Sequence, residues 1–439
     1  MLRENMFLKM LSKEFLTELL GEPVREYSLS TGSNQGDNIA GNLYAVKVRI
    51  QNRGIHHIVF KTPPYGNPTH CTYVKGWRVF DLENRFYGFL VPELKALYKS
   101  RRGAEADLDL PVPRYFGGNS NFVALEDLRS LGFKMADKYQ GLSFPEVRLV
   151  MQCLGKLHAS TYSYIKEHGE KIFAQKENHV FNSYPIRNHY MPDIDTVTEN
   201  AYSSIYINGI ELLSRKHEIL GEKLKKYAPI PHERMLAVYE QTDKRYFPVI
   251  SHGDIWVNNL MFKYETVVKN GHLVEEAQEC IMVDFQQSRR ENIFGDLLYF
   301  MYTITTPEFR KEFLAPSLNA YYETFVEVAG QFKTPVPIGF TKGWLFEEFL
   351  RNVPNIFASM PFAISLQLGD FGVLGRPIKS PSPVGEDDLE MELPWEGCYA
   401  NLIILCRTLL EHSPLAMARL EAVALEMDEM GAFDSELLH

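Results

Sequence analysis

An aspartate and an asparagine stand five residues apart in Ser251-His252-Gly253-Asp254-Ile255-Trp256-Val257-Asn258-Asn259. That pair suits phosphoryl transfer. An acceptor hydroxyl needs a carboxylate to orient it or take its proton. Mg²⁺ needs oxygen ligands, and an amide supplies one without adding charge. Asp254 would be the base and Asn259 a metal ligand. The short His-Gly-Asp sequence by itself also suits an Asx-rich turn with Asp254 as a helix cap. A second carboxylate follows thirty residues on, in Met282-Val283-Asp284-Phe285-Gln286. The apolar run 281–283 reads as a strand, whose end would hold Asp284 at a sheet edge within reach of Mg²⁺ on nucleotide phosphates. Alone, Asp284 also reads as a strand-terminating residue in a turn. Together with Asp254 and Asn259 at this spacing, the chemical reading is favoured.

Upstream, a lysine and a glutamate could hold the phosphates. Lys61 closes a stretch of alternating side chains. Glu83 falls on the apolar stripe of Val79, Phe80, Phe86, Tyr87 and Leu90, at helical spacing. A carboxylate on a buried helix face is costly unless paired, and a lysine on a neighbouring strand would pair with it. In kinases that ion pair sets the lysine against the α- and β-phosphates. A partly exposed glutamate at the stripe's edge is the other reading, and Lys47 competes with Lys61. Gly32, Gly36 and Gly41 lie before and within the first hairpin, where glycine lets backbone N–H groups approach phosphates closely. Their spacing is not Gly-x-Gly-x-x-Gly, and turns hold glycine commonly.

The elements that must position these residues follow from periodicity. Residues 1–20 mix charged and apolar side chains as an amphipathic helix does. Tyr44, Val46, Val48 and Ile50 alternate with polar neighbours as a half-buried strand, and 55–61 returns as a second one. A helix is expected over 75–90, with Pro92 ending or kinking it. Strands at 114–116 and 121–128 flank a glycine turn, giving the order β-β-α-β-β. Ser143-Phe144-Pro145-Glu146 is a capping box with proline in the first turn. It opens a helix over 147–164, and His158 on its apolar face reads as a satisfied core histidine. Residues 200–240, 305–335 and 400–410 are mostly helical by pattern. Between the first two lies a β-rich island at 247–287, with strands at 260–264 and 280–285 about a turn at Asn270-Gly271. Residues 369–394, rich in proline and glycine with the acidic run Glu386-Asp387-Asp388, read as a long loop.

Composition excludes several classes. A chain of 439 residues exceeds what one core usually holds, so two lobes are expected. The balance of 46 basic against 56 acidic residues argues against a general nucleic-acid binder, which needs a basic face. Cys71, Cys153, Cys280, Cys398 and Cys406 are odd in number and widely spread, with no C-x-x-C pair, so neither a structural zinc site nor a disulfide framework is expected. The charged N-terminus lacks a secretory core, and no apolar run is long enough to span a bilayer. A reducing, cytoplasmic setting is the default.

Taken in order, the glycine loop, strand lysine, helix glutamate, H-G-D-x-x-x-x-N and D-F-Q resemble the kinase-like superfamily of aminoglycoside and choline phosphotransferases. More narrowly, the chain resembles the ecdysteroid-kinase-like (CHK-kinase-like) family. Gly36-Asp37-Asn38, Phe60-Lys61, Phe80-x-x-Glu83-x-x-Phe86-Tyr87 and Leu125-Glu126-Asp127-Leu128 carry the narrower match. So do Leu154-Gly155-Lys156-Leu157-His158-Ala159, His252-Gly253-Asp254-Ile255-Trp256-x-x-Asn259-x-x-Phe262 and Val283-Asp284-Phe285-Gln286. The resemblance covers roughly 31–406.

It implies an α+β, two-lobed protein-kinase-like fold: a β-rich small lobe over 1–128 and a mostly helical large lobe over 129–439, with ATP in the cleft. It further implies that backbone groups around Glu126 and Leu128 form a hinge for adenine, that Asp296 braces the catalytic loop from a helix start, and that His252 supports that loop. H-G-D in place of H-R-D, D-F-Q in place of D-F-G, and the lack of an A-P-E segment favour a small-molecule acceptor over a peptide. The acceptor that the family suggests is an ecdysteroid or another hydroxylated lipophilic molecule, such as a dietary toxin. A choline- or aminoglycoside-type kinase, with Glu386–Asp388 facing a cationic acceptor, and an inactive nucleotide-binding scaffold are the rivals. The cofactors expected are ATP and Mg²⁺; no nucleic acid or membrane partner is expected.

Overall fold

The computed structural model describes residues 7–31, 41–51, 54–63, 74, 78–174, 181, 192–227, 246–269, 271–374 and 395–434. Gly32 and Gly36 fall outside these, as do 75–77 of the expected helix, Asn270, and 375–394 with its acidic run.

The small lobe opens with α1 (Lys13–Leu20), started by Ser12, whose Oγ accepts the Phe15 N–H at 3.1 Å. Three strands follow: β1 (Val24–Thr31), β2 (Asn42–Ile50) and β3 (Ile55–Thr62). After α2 (Val79–Arg85), a π-helical turn at Phe86–Leu90 and α3 (Val91–Arg102), two more strands return as β4 (Tyr115–Asn119) and β5 (Phe122–Glu126). The five strands form one antiparallel sheet in the order β1-β2-β3-β5-β4. The expected order therefore holds with one strand added in front. β1 lies at the sheet edge with most of its side chains in solvent, so it carries no buried face for a period-two pattern to show.

Val46, Val48, Ile58, Phe60, Phe122 and Ala124 fill one face of this sheet, under Phe7, Leu11 and Leu16 from the N-terminal helical segment. Because strand side chains alternate, burying Ile58 and Phe60 on that face turns Lys61 to the other. Lys47, the competing lysine, is exposed on β2. Gly41 is buried against β3, where an added Cβ would lie 2.6 Å from the Thr62 carbonyl oxygen. Close strand approach accounts for that glycine.

The helix carrying Glu83 does not stop at Pro92. The Val91 N–H reaches back five residues to the Phe86 carbonyl, and the wider π turn makes room for a proline that has no N–H to give. Helix continues to Arg102. Asn84 ties α2 to the sheet: its Nδ2 donates to the carbonyls of Asn119 (2.7 Å) and Phe122 (3.2 Å), and its Oδ1 accepts from the Tyr115 hydroxyl at 2.9 Å.

A 3₁₀ turn (Leu128–Leu131) and β6 (Phe133–Met135) lead to α4 (Phe144–His168). The expected capping box forms, with the Ser143 N–H donating to Glu146 at 2.7 Å. Then come α5 (Pro192–Ser214), α6 (Glu218–Tyr227), β7 (Val249–Ile250), β8 (Leu260–Lys269), β9 (His272–Met282) and β10 (Arg290–Glu291). The chain closes with α7 (Phe294–Ile304), α8 (Pro307–Gln331), α9 (Lys342–Ile356), α10 (Met360–Leu368), α11 (Trp395–His412) and α12 (Pro414–Glu429). β6, β8 and β9 form a three-stranded sheet, and β7 pairs with β10. This is an α+β fold of a β-rich small lobe and a helical large lobe. One core joins them: Phe80, Phe86 and Leu90 of the Glu83 helix pack in the same cluster as Val147, Leu154 and Leu157 of α4. The hairpin β8–β9 is longer than expected but ends sooner at its return, so Asp284 lies two residues past β9. Among the described residues, no helix is long and apolar enough to cross a membrane.

Candidate functional site

Lys61, Glu83 and Asp284 come from three separate elements and meet at one ammonium group. Lys61 Nζ donates to Glu83 Oε2 at 2.8 Å, to Asp284 Oδ1 at 2.5 Å and to Gln286 Oε1 at 3.2 Å. Glu83 is 1% exposed. Burial alone would strip Lys61 of its charge, but the carboxylates of Asp284 and Glu83 overcome it and hold the lysine protonated above its usual range. Burial pushes the Glu83 carboxyl upward, and the Lys61 charge opposes it.

Asp284 adopts φ of 67°, a left-handed conformation that aspartate tolerates better than most side chains. Phe285 beside it is clamped between rings: its centroid lies 3.8 Å from that of Phe86, stacked, and 4.5 Å from that of His252. The π turn that admits Pro92 thus also presents the ring that seats Asp284-Phe285.

The loop 251–259 is fastened at several points. Asp296 sits in the first turn of α7 and is buried. Its Oδ2 accepts the His252 N–H at 2.7 Å and its Oδ1 the Gly253 N–H at 2.9 Å. His158 on α4 bonds Asp296 Oδ2 through Nε2 at 3.1 Å, and its Nδ1 lies 2.9 Å from the Tyr321 hydroxyl. Burial works against a charge on Asp296, yet the hydrogen bond and charge of His158, with help from His252 and the Gly253 N–H, hold its carboxyl below the ordinary value. Arg289 closes the loop from the other side, with Nη1 donating to the carbonyls of Gly253 (3.2 Å) and Gln287 (3.1 Å) and Nε to Glu291 (2.8 Å).

His252 joins this loop to the strand end. Its Nε2 lies 2.9 Å from the Val283 carbonyl, which can only accept, so Nε2 carries the proton; Nδ1 then accepts the Asp254 N–H at 3.2 Å. A neutral ring uses both nitrogens. Burial lowers its pKa below the ordinary 6.5, against the charges of Asp296 and Asp284. A second proton would have to enter at Nδ1, where the Asp254 N–H already points. The stability this ring contributes is complete above pH 6.5 and is lost as pH falls through its lower folded value. Thermal unfolding should therefore show the wild type losing stability below pH 6.5 more steeply than His252→Gln, which has no proton to gain; parallel curves would contradict the neutral ring.

Asp254 itself is half-buried. Its Oδ1 accepts from the Tyr299 hydroxyl at 3.2 Å and its Oδ2 from Asn259 Nδ2 at 3.3 Å. Burial, with Asp284 adding repulsion, pushes the carboxyl up to about 7, against hydrogen bonds from Tyr299 and Asn259 and the charge of Arg289. Asn259 also donates to the Asp254 carbonyl at 2.8 Å, and its own carbonyl accepts the Val283 N–H at 3.0 Å. That last bond joins Asn259 to the residue next to Asp284, so two oxygen-bearing side chains stand on adjoining backbone. Among the described residues, no group of three or more His, Cys, Asp or Glu side chains could hold a metal by itself. Mg²⁺ shared with phosphates and waters needs only one or two protein oxygens, and this pair fits that demand.

At the lobe junction, the N–H groups of Glu126 and Asp127 are spent on the carbonyls of Arg114 and His57, each at 2.9 Å. Leu128 opens the following 3₁₀ turn, where the first N–H groups have no acceptor within the turn. Any adenine contact at this edge would draw on the Leu128 N–H ahead of that of Glu126.

The structure thus gathers Lys61, Glu83, Asp284, Asp254, Asn259, His252 and Asp296 into one connected region. Gln286 was legible as part of D-F-Q but had no assigned place. Tyr299, its partner Gln367 (Nε2 to the Tyr299 hydroxyl, 2.9 Å) and Arg289 were not singled out from sequence. Tyr299 stands three residues after Asp296, on the same helix face, so that spacing was the available signal. Gln367, a buried glutamine in the apolar helix α10, was the other.

A sequence model of the ecdysteroid kinase-like family matches residues 35–334, more than half of the chain. No curated protein sequence matches. Among solved structures, the chain is similar to an ethanolamine kinase of Plasmodium vivax at 9% identity, covering 89% of this chain and 83% of that one, with a TM-score of 0.37. It is also similar to ADP-bound aminoglycoside phosphotransferase APH(2'')-Ib at 10% identity, covering 89% and 96%, with a TM-score of 0.35. The streptomycin–ATP ternary complex of APH(2'')-IIa gives 14% identity, covering 72% and 86%, with a TM-score of 0.33. Likeness at this level says nothing about activity.

Proposed function

Since the chain belongs to the ecdysteroid kinase-like family, we propose that it is an ATP-dependent kinase that phosphorylates a hydroxyl group of a small molecule. One observation carries the reading: the buried Lys61–Glu83 pair meets the Asp284 carboxylate at one ammonium group, and the Val283 N–H, one residue before Asp284, bonds the backbone carbonyl of Asn259, which itself pairs with Asp254. A fold has no structural need for that concentration of charge, because burying it is costly.

In this reading Lys61, braced by Glu83, grips the α- and β-phosphates of ATP. Asp284 and Asn259 would hold Mg²⁺, which would supply positive charge against the phosphates. Asp254 orients the acceptor hydroxyl and takes its proton. Tyr299 and Asn259 fix the plane of that carboxylate, and Asp296, His252 and Arg289 fix the loop beneath it. The Leu128 N–H and the Glu126 edge receive adenine, and the lobes divide near 128, giving 1–128 and 129–439. A reducing, cytoplasmic setting suits the buried thiols of Cys153, Cys280, Cys398 and Cys406, which form no disulfide among the described residues. The acceptor is an ecdysteroid or another hydroxylated lipophilic compound, the class that the family suggests.

The test is a transfer screen. The purified protein and Asp254→Asn are incubated with MgATP and ecdysteroids, plant steroids, phenolics, choline or aminoglycosides, and mass spectrometry searches for products heavier by one phosphoryl group. A steroid or phenolic product made by the wild type alone is expected. Products confined to choline or aminoglycosides would overturn the acceptor class. Failure to bind MgATP at all would overturn the kinase reading. With an acceptor in hand, Tyr299→Phe should lower kcat about tenfold, the worth of a hydrogen bond to a charged group, and leave the KM for ATP unchanged. An equal rise in that KM would place Tyr299 elsewhere.

A further inference from the structure

An ammonium group has three N–H donors and no acceptor. On Lys61 each has a partner: Glu83, Asp284 and Gln286. The donor count also settles the amide, since only Oε1 of Gln286 can face Lys61. Gripping an α- and a β-phosphate oxygen together takes two of those donors. Only one partner can remain, and Glu83 must be that one, because at 1% exposure it would be left as a buried carboxylate with its cation gone. Asp284 has other work as a metal ligand. Gln286, 8% exposed, has to give up its bond outright.

We propose that Gln286 is an internal competitor for Lys61, which holds the place of a phosphate oxygen and sets how tightly the site takes its nucleotide. This rests on the kinase reading above. A glycine at this position, as in D-F-G, offers no such competitor. Gln286 lies two residues beyond Asp284, on the same irregular segment past β9, so its release and the turning of Asp284 toward a metal involve the same short stretch of backbone. Gln286 acts through Lys61 and is a positioning residue.

Titration calorimetry with a non-hydrolysable ATP analogue and Mg²⁺ tests this without any acceptor. Gln286→Met keeps the length of the side chain and removes the acceptor oxygen. It should tighten binding about three- to tenfold, the worth of a displaced hydrogen bond, and lower the unfolding midpoint of the nucleotide-free protein slightly, because the same bond is lost there. Gln286→Glu, which strengthens the competitor, should weaken binding. Should Gln286→Met fail to fold, Gln286→Ala carries the same expectation. A folded Gln286→Met or Gln286→Ala variant that binds no tighter than the wild type overturns the inference and leaves the kinase reading standing. Absence of binding by the wild type and every variant overturns both.

Discussion

Asp254→Asn should lower turnover by about 10²- to 10⁴-fold, the usual worth of a positioned base, while nucleotide affinity stays at the wild-type value. The substitution keeps the size of the side chain. What it removes is the ability to take a proton and one of two acceptor oxygens. The carboxylate now receives the Tyr299 hydroxyl on one oxygen and the Asn259 amide on the other. An asparagine can accept one of these and must turn its own N–H₂ toward the second donor. The acceptor hydroxyl then meets a side chain of altered plane and no basicity. Burial and the neighbouring Asp284 push the Asp254 carboxyl up to about 7, close to where a base works best near neutral pH. Lys61, Glu83 and Asp284 make no bond to the altered atoms, so the phosphate grip is left intact. Single-turnover transfer alongside analogue titration separates the two effects. Turnover within tenfold of the wild type would mean that Asp254 is not the base. A fall in affinity that matches the fall in rate would mean that it helps hold the nucleotide.

How much of this could be read beforehand differs from residue to residue, for physical reasons. Lys61 and Glu83 were legible because burial imposes pattern: Ile58 and Phe60 on one sheet face dictate where Lys61 points, and Glu83 falls in an apolar stripe that makes an unpaired carboxylate costly. The choice between Lys61 and Lys47 was not legible, because both alternate correctly and only the pairing of β3 with β5 puts Lys61 opposite α2. β1 was missed because an edge strand facing solvent has no apolar alternation. The sequence reads Pro92 as an end or a kink, whereas the helix runs on through a π turn whose Phe86 packs against Phe285, about two hundred residues away in sequence. Tyr299 and Gln367 are polar residues in apolar helices. Their meaning comes from what lies across the lobe, and local periodicity does not report that. Asp284 sits past its strand with a positive φ, where the pattern had kept it in regular pairing.

The second large effect concerns a residue with no side chain. Gly253→Ala should destabilise the protein by about 2–4 kcal/mol and reduce turnover at least as far as Asp254→Asn does. Gly253 adopts φ of 84°, where an alanine is strained by about 1–2 kcal/mol. The surroundings make it worse. A Cβ there would lie 2.1 Å from the Gln287 carbonyl oxygen and 2.6 Å from Arg289 Nη1, distances no pair of non-bonded atoms sustains. Gln287 is backbone and cannot swing aside, so the loop must retreat. Retreat pulls the Gly253 N–H from Asp296, strains the His252 N–H bonded beside it, and breaks the Arg289 bond to the Gly253 carbonyl. Each leaves a buried polar group without its partner. Asp254 is the next residue and moves with the loop, away from Tyr299 and Asn259. Lys61 and Glu83 belong to the small lobe and share none of these bonds, so a folded fraction of Gly253→Ala should still bind nucleotide. Urea unfolding measures the first effect, and turnover normalised to folded protein measures the second. Wild-type stability in this variant would show that the loop does not pass between Gln287 and Asp296 as described. Lost stability with normal turnover would show that the loop is held for the fold and not for the position of Asp254.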